Sequence, residues 1–119
     1  KLDANCIING NRTLLTQVFI NILENSIKYI AHKKNKIINI ETINDKNNII
    51  IKIKDNGDGI DKKHHSKVFD RFVRLEKNRK TQGNGLGLSL VKAILKIHKA
   101  KIKLEDNKPG LIFNIIFTK

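Results

Sequence analysis

Two asparagines spaced four residues apart could help to bind a metal ion and phosphate groups. Asn21 and Asn25 would lie one turn apart on a helix, and Lys28 would follow along the same face. An amide oxygen is a hard ligand that can complete the oxygen shell of a Mg²⁺ ion. A pair of exposed helix asparagines is the alternative interpretation, although asparagine is a poor helix former at interior positions.

A carboxylate followed by two glycines stands at residues 55–59, which read DNGDG. Asp55 could accept a hydrogen bond from an exocyclic amine such as the N6 group of adenine. Gly57 and Gly59 have no side chain, so the backbone here could approach a flat ring closely. The same five residues also fit an ordinary Asn-Gly or Asp-Gly turn.

Three glycines in alternate positions, Gly83, Gly85 and Gly87, precede a segment with helical periodicity. Free N–H groups and the positive end of the helix dipole would suit such a helix start to phosphate binding. The segment lacks the Gly-Lys-Ser/Thr ending of a Walker A motif. It also follows a long loop instead of the strand that a dinucleotide fingerprint requires. A glycine hinge is the alternative interpretation.

The elements that must position these residues are two helices and two hairpins. Apolar residues repeat with a helical period over 11–31, where Asn11 is a candidate N-cap, and again over 86–98. β-Branched and apolar runs predict four strands, at 37–43, 49–54, 101–105 and 111–117. This order predicts an α+β protein, a two-layer α/β sandwich with the helices packed on one face of a mixed β-sheet.

Taken together and in this order, the motifs resemble the N, G1, F and G2 boxes of sensor histidine kinases. These kinases belong to the GHKL superfamily of ATP-binding proteins, which have the Bergerat fold. The four boxes correspond to residues 21–29, 55–59, 69–72 and 83–88, and the resemblance covers about residues 11–117. The departures from the family's pattern are Ser26 for alanine, Asn84 for threonine, and Lys99 and Ala100 for two glycines that often follow a histidine.

The resemblance implies that the chain binds ATP together with Mg²⁺. In the family's pattern Asn25 holds the metal ion, Lys28 reaches the phosphates, Tyr29 lies near the nucleotide, and Asp55 reads the adenine amino group. The residues that the resemblance assigns to nucleotide binding are Asn21, Asn25, Lys28, Tyr29, Asp55, Gly57, Gly59, Ile60, Phe72, Arg74, Lys77, Arg79, Gly83, Gly85, Leu86, Gly87 and Leu88.

The segment 61–82 corresponds in the resemblance to a lid over the nucleotide. It holds eight basic and three acidic residues, a net charge of +5 beside a polyanion. The candidate phosphate contacts in the lid are Arg74, Lys77, Arg79 and Lys80. Because few apolar residues anchor the segment, we expect it to open locally at small cost when the site is empty. Phe69 and Phe72 could tether its middle.

Position 21 distinguishes a kinase from an ATPase within the superfamily. The gyrase, mismatch-repair and heat-shock-chaperone branches resemble one another in having glutamate there, a general base that activates water. Asn21 has no basic lone pair at neutral pH, so this chain is expected to protect ATP from water. Positioning and charge neutralisation would then dominate the phosphoryl transfer.

The phosphoacceptor histidine is expected outside this chain. The four histidines here are His32, His64, His65 and His98, and none stands in a context such as His-Glu-Leu/Phe-Arg-x-Pro. The resemblance therefore implies two partners: a dimerisation and histidine-phosphotransfer domain of the same kinase, and a response regulator downstream. The chain has no methionine, so we expect residues 1–119 to be a catalytic and ATP-binding domain excised from a longer kinase.

The net charge of +13 admits a basic nucleic-acid-binding module as an alternative, and a nucleotide-binding pseudokinase is another. However, lysine supplies 20 of the 24 basic residues, and the single tyrosine and absent tryptophan offer little for base stacking. We therefore expect no specific nucleic-acid partner. No apolar run approaches the roughly 20 residues of a bilayer span, and Cys6 has no second cysteine to pair with. We expect a cytoplasmic location, with membrane contact only through other parts of a parent sensor.

Overall fold

The computed structural model describes residue 8 and residues 10–70 and 87–119. Its helices and strands are α1 (Arg12–Ile30), β1 (Ile38–Asn44), β2 (Asn48–Asp55), α2 (Gly87–Ile97), β3 (Ala100–Asp106) and β4 (Leu111–Thr118). Two short 3₁₀ turns, Lys62–His64 and Lys67–Phe69, lie between β2 and α2. Each predicted helix and strand is confirmed, with both ends within one residue of the expected bounds.

The N-terminus of α1 is capped as the sequence predicted. Asn11 has an extended backbone, and its Oδ1 accepts a hydrogen bond from the N–H of Leu14 at 3.0 Å. The N–H of Asn11 in turn donates to Nε2 of His98 at 2.9 Å, which ties the start of α1 to the end of α2. Further along, Asn21 Nδ2 donates to the carbonyl oxygen of Gly87, the first residue of α2, at 3.2 Å. The two helices therefore lie antiparallel, with polar links at both ends of α2.

The four strands form one sheet in the order β1-β2-β4-β3. All three neighbouring pairs are antiparallel, so among the described strands the expectation of a mixed sheet is wrong. The reason is that each hairpin contributes its second strand, β2 or β4, to the centre of the sheet. These two strands run in opposite directions, because the chain returns through α2 to the outer strand β3 before it turns into β4.

The core lies between the helices and one face of the sheet, which confirms the two-layer α+β arrangement. Ile53 in β2 pairs with Phe113 in β4, and both are almost fully buried under the helices. Alternate positions of β2 are buried, as expected for a strand with one covered face. The buried apolar residues that meet there are Val18, Ile22, Ile49, Ile51, Ile53, Val68, Phe69, Leu88, Val91, Ile94, Leu95, Leu111, Phe113, Ile115 and Phe117. In the described ranges, neither helix combines the length and apolar character needed to cross a bilayer.

The turn after α2 explains one departure from the family's pattern. Lys99 has a φ of +56°, the left-handed conformation that usually ends a helix with glycine. Lysine is therefore held here in a conformation that costs a residue with a Cβ about 1 kcal/mol. The departure changes the residue but keeps the backbone shape, and the turn leads directly into β3.

Two leucines on α2 provide a matched test of this core. Leu95 is 1% exposed and Leu90 is 46% exposed. We expect Leu95→Ala to lower the free energy of unfolding by about 2–5 kcal/mol, because it removes buried methyl groups and leaves a cavity. Leu90→Ala should lower it by at most about 1 kcal/mol. Urea unfolding followed by circular dichroism measures both, and equal losses would contradict the assigned orientation of α2.

Candidate nucleotide-binding site

Asp55 is the one acidic side chain that is buried among the described residues, with 1% of its surface exposed. Its Oδ1 accepts hydrogen bonds from the N–H groups of Gly57 at 2.9 Å and Leu111 at 3.2 Å. Its Oδ2 is also buried but has no hydrogen-bond partner in the described structure. A buried acceptor without a donor is costly, so a ligand that brings a donor to Oδ2 would satisfy it.

Burial raises the pKa of Asp55 above its ordinary value, because removal from water disfavours the charged carboxylate. The N–H groups of Gly57 and Leu111 oppose this shift of the pKa, and the Ser26 hydroxyl opposes it further. Ser26 is itself fully buried, and its hydroxyl lies close enough to Asp55 to lower the pKa as a weak hydrogen-bond donor. The site thus contains two neighbouring buried polar atoms, Asp55 Oδ2 and Ser26 Oγ, that have no partner in good hydrogen-bond geometry among the described residues.

The glycines of the 55–59 segment are required by close backbone packing. A Cβ atom on Gly57 would lie 2.7 Å from the carbonyl oxygen of Tyr29, at the end of α1. Gly59 has a φ of +76°, and a Cβ there would lie 2.8 Å from the carbonyl oxygen of Gly110. These contacts give both glycines a role in shaping the surroundings of Asp55, beyond the approach to a flat ring that the sequence suggested.

The turn between β3 and β4 also belongs to this site, although none of the sequence motifs includes it. Asn107 Nδ2 donates to the backbone carbonyl oxygen of Asp55 at 2.8 Å, and Leu111 supplies one of the two N–H groups on the Asp55 carboxylate. Gly110 has a φ of +116° and packs directly on the Asp55 carbonyl. The sequence carries no local signal for these contacts, because they join residues 52 and 56 positions apart.

The two asparagines of α1, Asn21 and Asn25, use their side-chain amides differently. Asn21 uses both ends of its amide within the protein, since Nδ2 donates to Gly87 and Oδ1 accepts from Gln17 Nε2 at 2.7 Å. Asn25 Nδ2 donates to the backbone oxygen of Asn21 at 3.4 Å. This bond engages the amide nitrogen of Asn25, whereas the amide oxygen Oδ1 is the atom that a metal ion would need.

Asn25 and Lys28 lie beyond the point where α1 meets α2. Asn25 follows Asn21 by four residues, which corresponds to about 6 Å along a helix axis. Lys28 and Tyr29 are half-buried in the last turn of α1. A Cβ atom on Gly87 would meet no atom of the described residues within 4 Å, so the described part of the chain leaves room at the start of α2.

Ile60 and Leu88 support the site from within the core. Leu88 is 7% exposed and belongs to the buried cluster, and Ile60 packs against that cluster. The Ile60 carbonyl oxygen also lies 2.8 Å from His65 Nε2. The contacts of both side chains hold the elements of the site together.

The described beginning of the predicted lid is anchored to the body. Val68 and Phe69 are buried, and Lys92 Nζ in α2 lies 5.9 Å from the centre of the Phe69 ring. Val68 and Phe69 are thus the buried apolar anchors of residues 61–70, and Phe69 tethers this segment as expected. The remaining predicted residues, Phe72, Arg74, Lys77, Arg79, Lys80, Gly83, Gly85 and Leu86, lie outside the described residues.

Comparison with known proteins shows the family to which this chain belongs. A family model described as "Histidine kinase-, DNA gyrase B-, and HSP90-like ATPase" matches residues 10–118. The chain therefore belongs to this family of ATP-binding domains.

Similar proteins narrow the class to histidine kinases. The signal transduction histidine-protein kinase ArlS of Staphylococcus aureus is 42% identical over 105 residues, which are 85% of this chain and 23% of ArlS. Sensor protein RprX of Bacteroides fragilis is 36% identical over 105 residues, 87% of this chain and 20% of RprX. The nucleotide-free catalytic domain of histidine kinase ThkA matches with a TM-score of 0.84 and 28% identity, covering 99% of this chain and 75% of that one. The chain thus spans about a fifth of the length of the curated relatives it matches.

Two aspartates of the 55–59 segment should affect stability with opposite dependence on pH. Because its pKa is raised, Asp55 stabilises the fold most below the ordinary value of 3.8 and loses that contribution as pH rises through its folded-state pKa. Asp58 is bonded to His32 at 3.0 Å and Lys33 at 3.3 Å, and these contacts lower its pKa. Its contribution is therefore present above 3.8 and lost as pH falls.

We therefore expect the free energy of unfolding of Asp55→Asn, minus that of the wild type, to increase from below pH 3.8 towards neutrality. The same difference for Asp58→Asn should decrease over that range. Denaturant unfolding at a series of pH values measures both differences, and parallel trends would contradict the assignment of the buried and exposed carboxylates.

Proposed function

We propose that this chain binds Mg-ATP and acts as the catalytic domain of a sensor histidine kinase. In this proposal it donates the γ-phosphoryl group to a histidine on a separate helical domain. The observation that carries the proposal is the buried Asp55 Oδ2, an acceptor left without a partner beside a glycine-lined backbone. The family and its sensor-kinase relatives support the same assignment.

The chemistry of Asp55 favours adenine over other purines. An ionised carboxylate is acceptor-only, so it pairs with the N–H donors of the adenine amino group. Guanine and hypoxanthine present an oxygen at the same ring position, and two acceptors would then face each other. A charge-assisted hydrogen bond in a water-excluded site is stronger than a neutral one. Asp55 would therefore fix both the position and the identity of the base.

The phosphates are proposed to lie between the last turns of α1 and the start of α2. The first N–H groups of α2 and its positive dipole end lie at Gly87, where the described residues leave room for an anion. Lys28 would add positive charge from α1. The amide oxygen of Asn25 is of the type that binds a hard cation, and bound Mg²⁺ would supply charge neutralisation at the phosphate oxygens. The described residues hold no group of three His, Cys, Asp or Glu side chains suited to a metal, so this assignment depends on Asn25.

Phosphoryl transfer, and not hydrolysis, fits the arrangement at Asn21. Its amide is occupied by Gln17 and Gly87, and it offers no base to activate water. In the transfer, the bond between the γ-phosphorus and the ADP oxygen breaks, its electron pair remains on ADP, and a P–N bond forms on the acceptor imidazole. The acceptor domain and a downstream response regulator are proposed as partners from the relatives, of which this chain spans about a fifth.

The first test of this function concerns Asp55→Asn. In the variant, Oδ1 can keep the bonds from Gly57 and Leu111, so the new Nδ2 donor replaces Oδ2 and faces the adenine amino donor. We expect ADP affinity to fall about ten- to a hundred-fold, the loss of a charge-assisted bond worth about 1.5–3 kcal/mol. Isothermal titration calorimetry with Mg-ADP measures the affinity. The control is Asp58→Asn, an exposed carboxylate three residues away, which should bind as wild type. Unchanged ADP affinity in a folded Asp55→Asn protein would contradict the assignment of Asp55 to adenine recognition.

A second test addresses the metal through Asn25→Ala. We expect the variant to match wild type for ATP in excess EDTA and to lose the gain in affinity that Mg²⁺ gives wild type. Asn39→Ala, an exposed asparagine on β1, is the control and should keep the full Mg²⁺ dependence. Full Mg²⁺ dependence in Asn25→Ala as well would make Asn25 an ordinary helix residue.

A further inference from the structure

We infer that Asn107 is a positioning residue for base recognition, because it fixes the end of β2 from which the Asp55 carboxylate projects. The inference rests on the proposed function and extends it to a turn outside residues 21–88, which contain the family's four boxes. Asn107 lies in the loop between β3 and β4, and its side chain is half-buried against Asp55.

The backbone ladder between β2 and β4 ends just before Asp55. The last paired residues are Lys54 and Ile112. One step further, Leu111 directs its N–H to the side-chain Oδ1 of Asp55 at 3.2 Å. Asn107 Nδ2 then supplies the donor for the Asp55 backbone carbonyl at 2.8 Å. At Asp55, hydrogen bonds that involve side chains therefore replace the backbone ladder between β2 and β4. Asp55 is the residue whose carboxylate is proposed to contact the base.

Asn107 also closes the turn in which it lies, and this turn packs directly on Asp55. Its backbone N–H donates to the carbonyl oxygen of Gly110 at 3.1 Å. Gly110, at a φ of +116°, packs so closely on the Asp55 carbonyl that any Cβ would overlap it. Gly59 packs on the other side of Gly110, where an added Cβ would lie 2.8 Å from the Gly110 oxygen. The 107–110 turn thus packs against both Asp55 and Gly59, the first and last residues of the 55–59 segment.

The contact requires a neutral donor at position 107. The acceptor is a backbone carbonyl, so an aspartate of the same shape would place a negative oxygen against it, and alanine would leave it without a donor. Without the bond, the Asp55 carbonyl loses its partner on the β4 side while β1 still pairs with Asp55, so the direction of Oδ2 is less tightly fixed. A directional loss of this kind should weaken recognition of the adenine amino group more than it weakens binding of the phosphates.

The test compares ADP with inosine diphosphate, which has an oxygen in place of the adenine amino group. We expect Asn107→Ala to lower ADP affinity about three- to ten-fold while inosine diphosphate affinity stays the same, so the ratio of the two shrinks. Competition calorimetry measures both affinities. The control is Asn47→Ala, an exposed asparagine in the turn of the other hairpin, which should leave the ratio unchanged.

A second readout follows the carboxylate directly. The amide NMR signals of Gly57 and Leu111, whose N–H groups bond to Asp55 Oδ1, should shift in Asn107→Ala and stay in place in Asn47→Ala. If Asn107→Ala does not fold, Asn107→Asp keeps the size and turn preference of the side chain, and the same shifts and the same ratio are expected.

The outcomes separate the inference from the function on which it rests. Equal losses for both nucleotides, or an unchanged ratio with unmoved amide signals, would overturn the positioning role of Asn107. A wild-type protein that binds neither nucleotide would instead overturn the proposed function, and the Gly57 and Leu111 signals would still decide whether Asn107 orients Asp55.

Discussion

The burial of a single carboxylate, Asp55, constrains the rest of the site. Removal from water raises its pKa, and no described cation pairs with it, so the protein accepts a cost to stability at the end of a central strand. Two N–H groups offset part of this cost, one from the next loop and one from β4. The second oxygen remains unsatisfied. A buried polar group that the fold leaves without a partner is typical of a binding site, where the ligand completes it.

The sheet order explains why the carboxylate can be held in this way. Because each hairpin places its second strand in the centre, the end of β2 lies beside the start of β4 and the turn that precedes it. The 55–59 segment therefore meets the 107–110 turn, and glycines at both sites allow their backbones to touch. In the helical layer, α1 continues beyond Asn21, which contacts the first residue of α2, so its last turns carry Asn25 and Lys28 past the N-terminus of α2. Base and phosphate would thus be recognised by different layers of the sandwich.

The departures from the family's pattern show which features the fold requires. Lys99 takes the backbone conformation that glycine usually supplies, so the turn into β3 is kept at a local cost. Ser26 places a hydroxyl beside Asp55 that an alanine would lack, and the dipole of this hydroxyl moderates the raised pKa of Asp55. Asn21, by contrast, keeps the amide of the family's pattern, which links the two helices and cannot serve as a base.

The sequence by itself determined the elements and the candidate residues, because these depend on local patterns. The apolar period of α1, the Asn11 cap and the β-branched runs fixed every helix and strand to within one residue of its observed bounds, and the motif order identified the family. Tertiary structure alone decided the sheet order, the approach of Phe69 to Lys92 in α2, and the contact of Asn107 with Asp55. These features arise between residues far apart in the chain, where packing and hydrogen-bond geometry, and not local preference, select the partner.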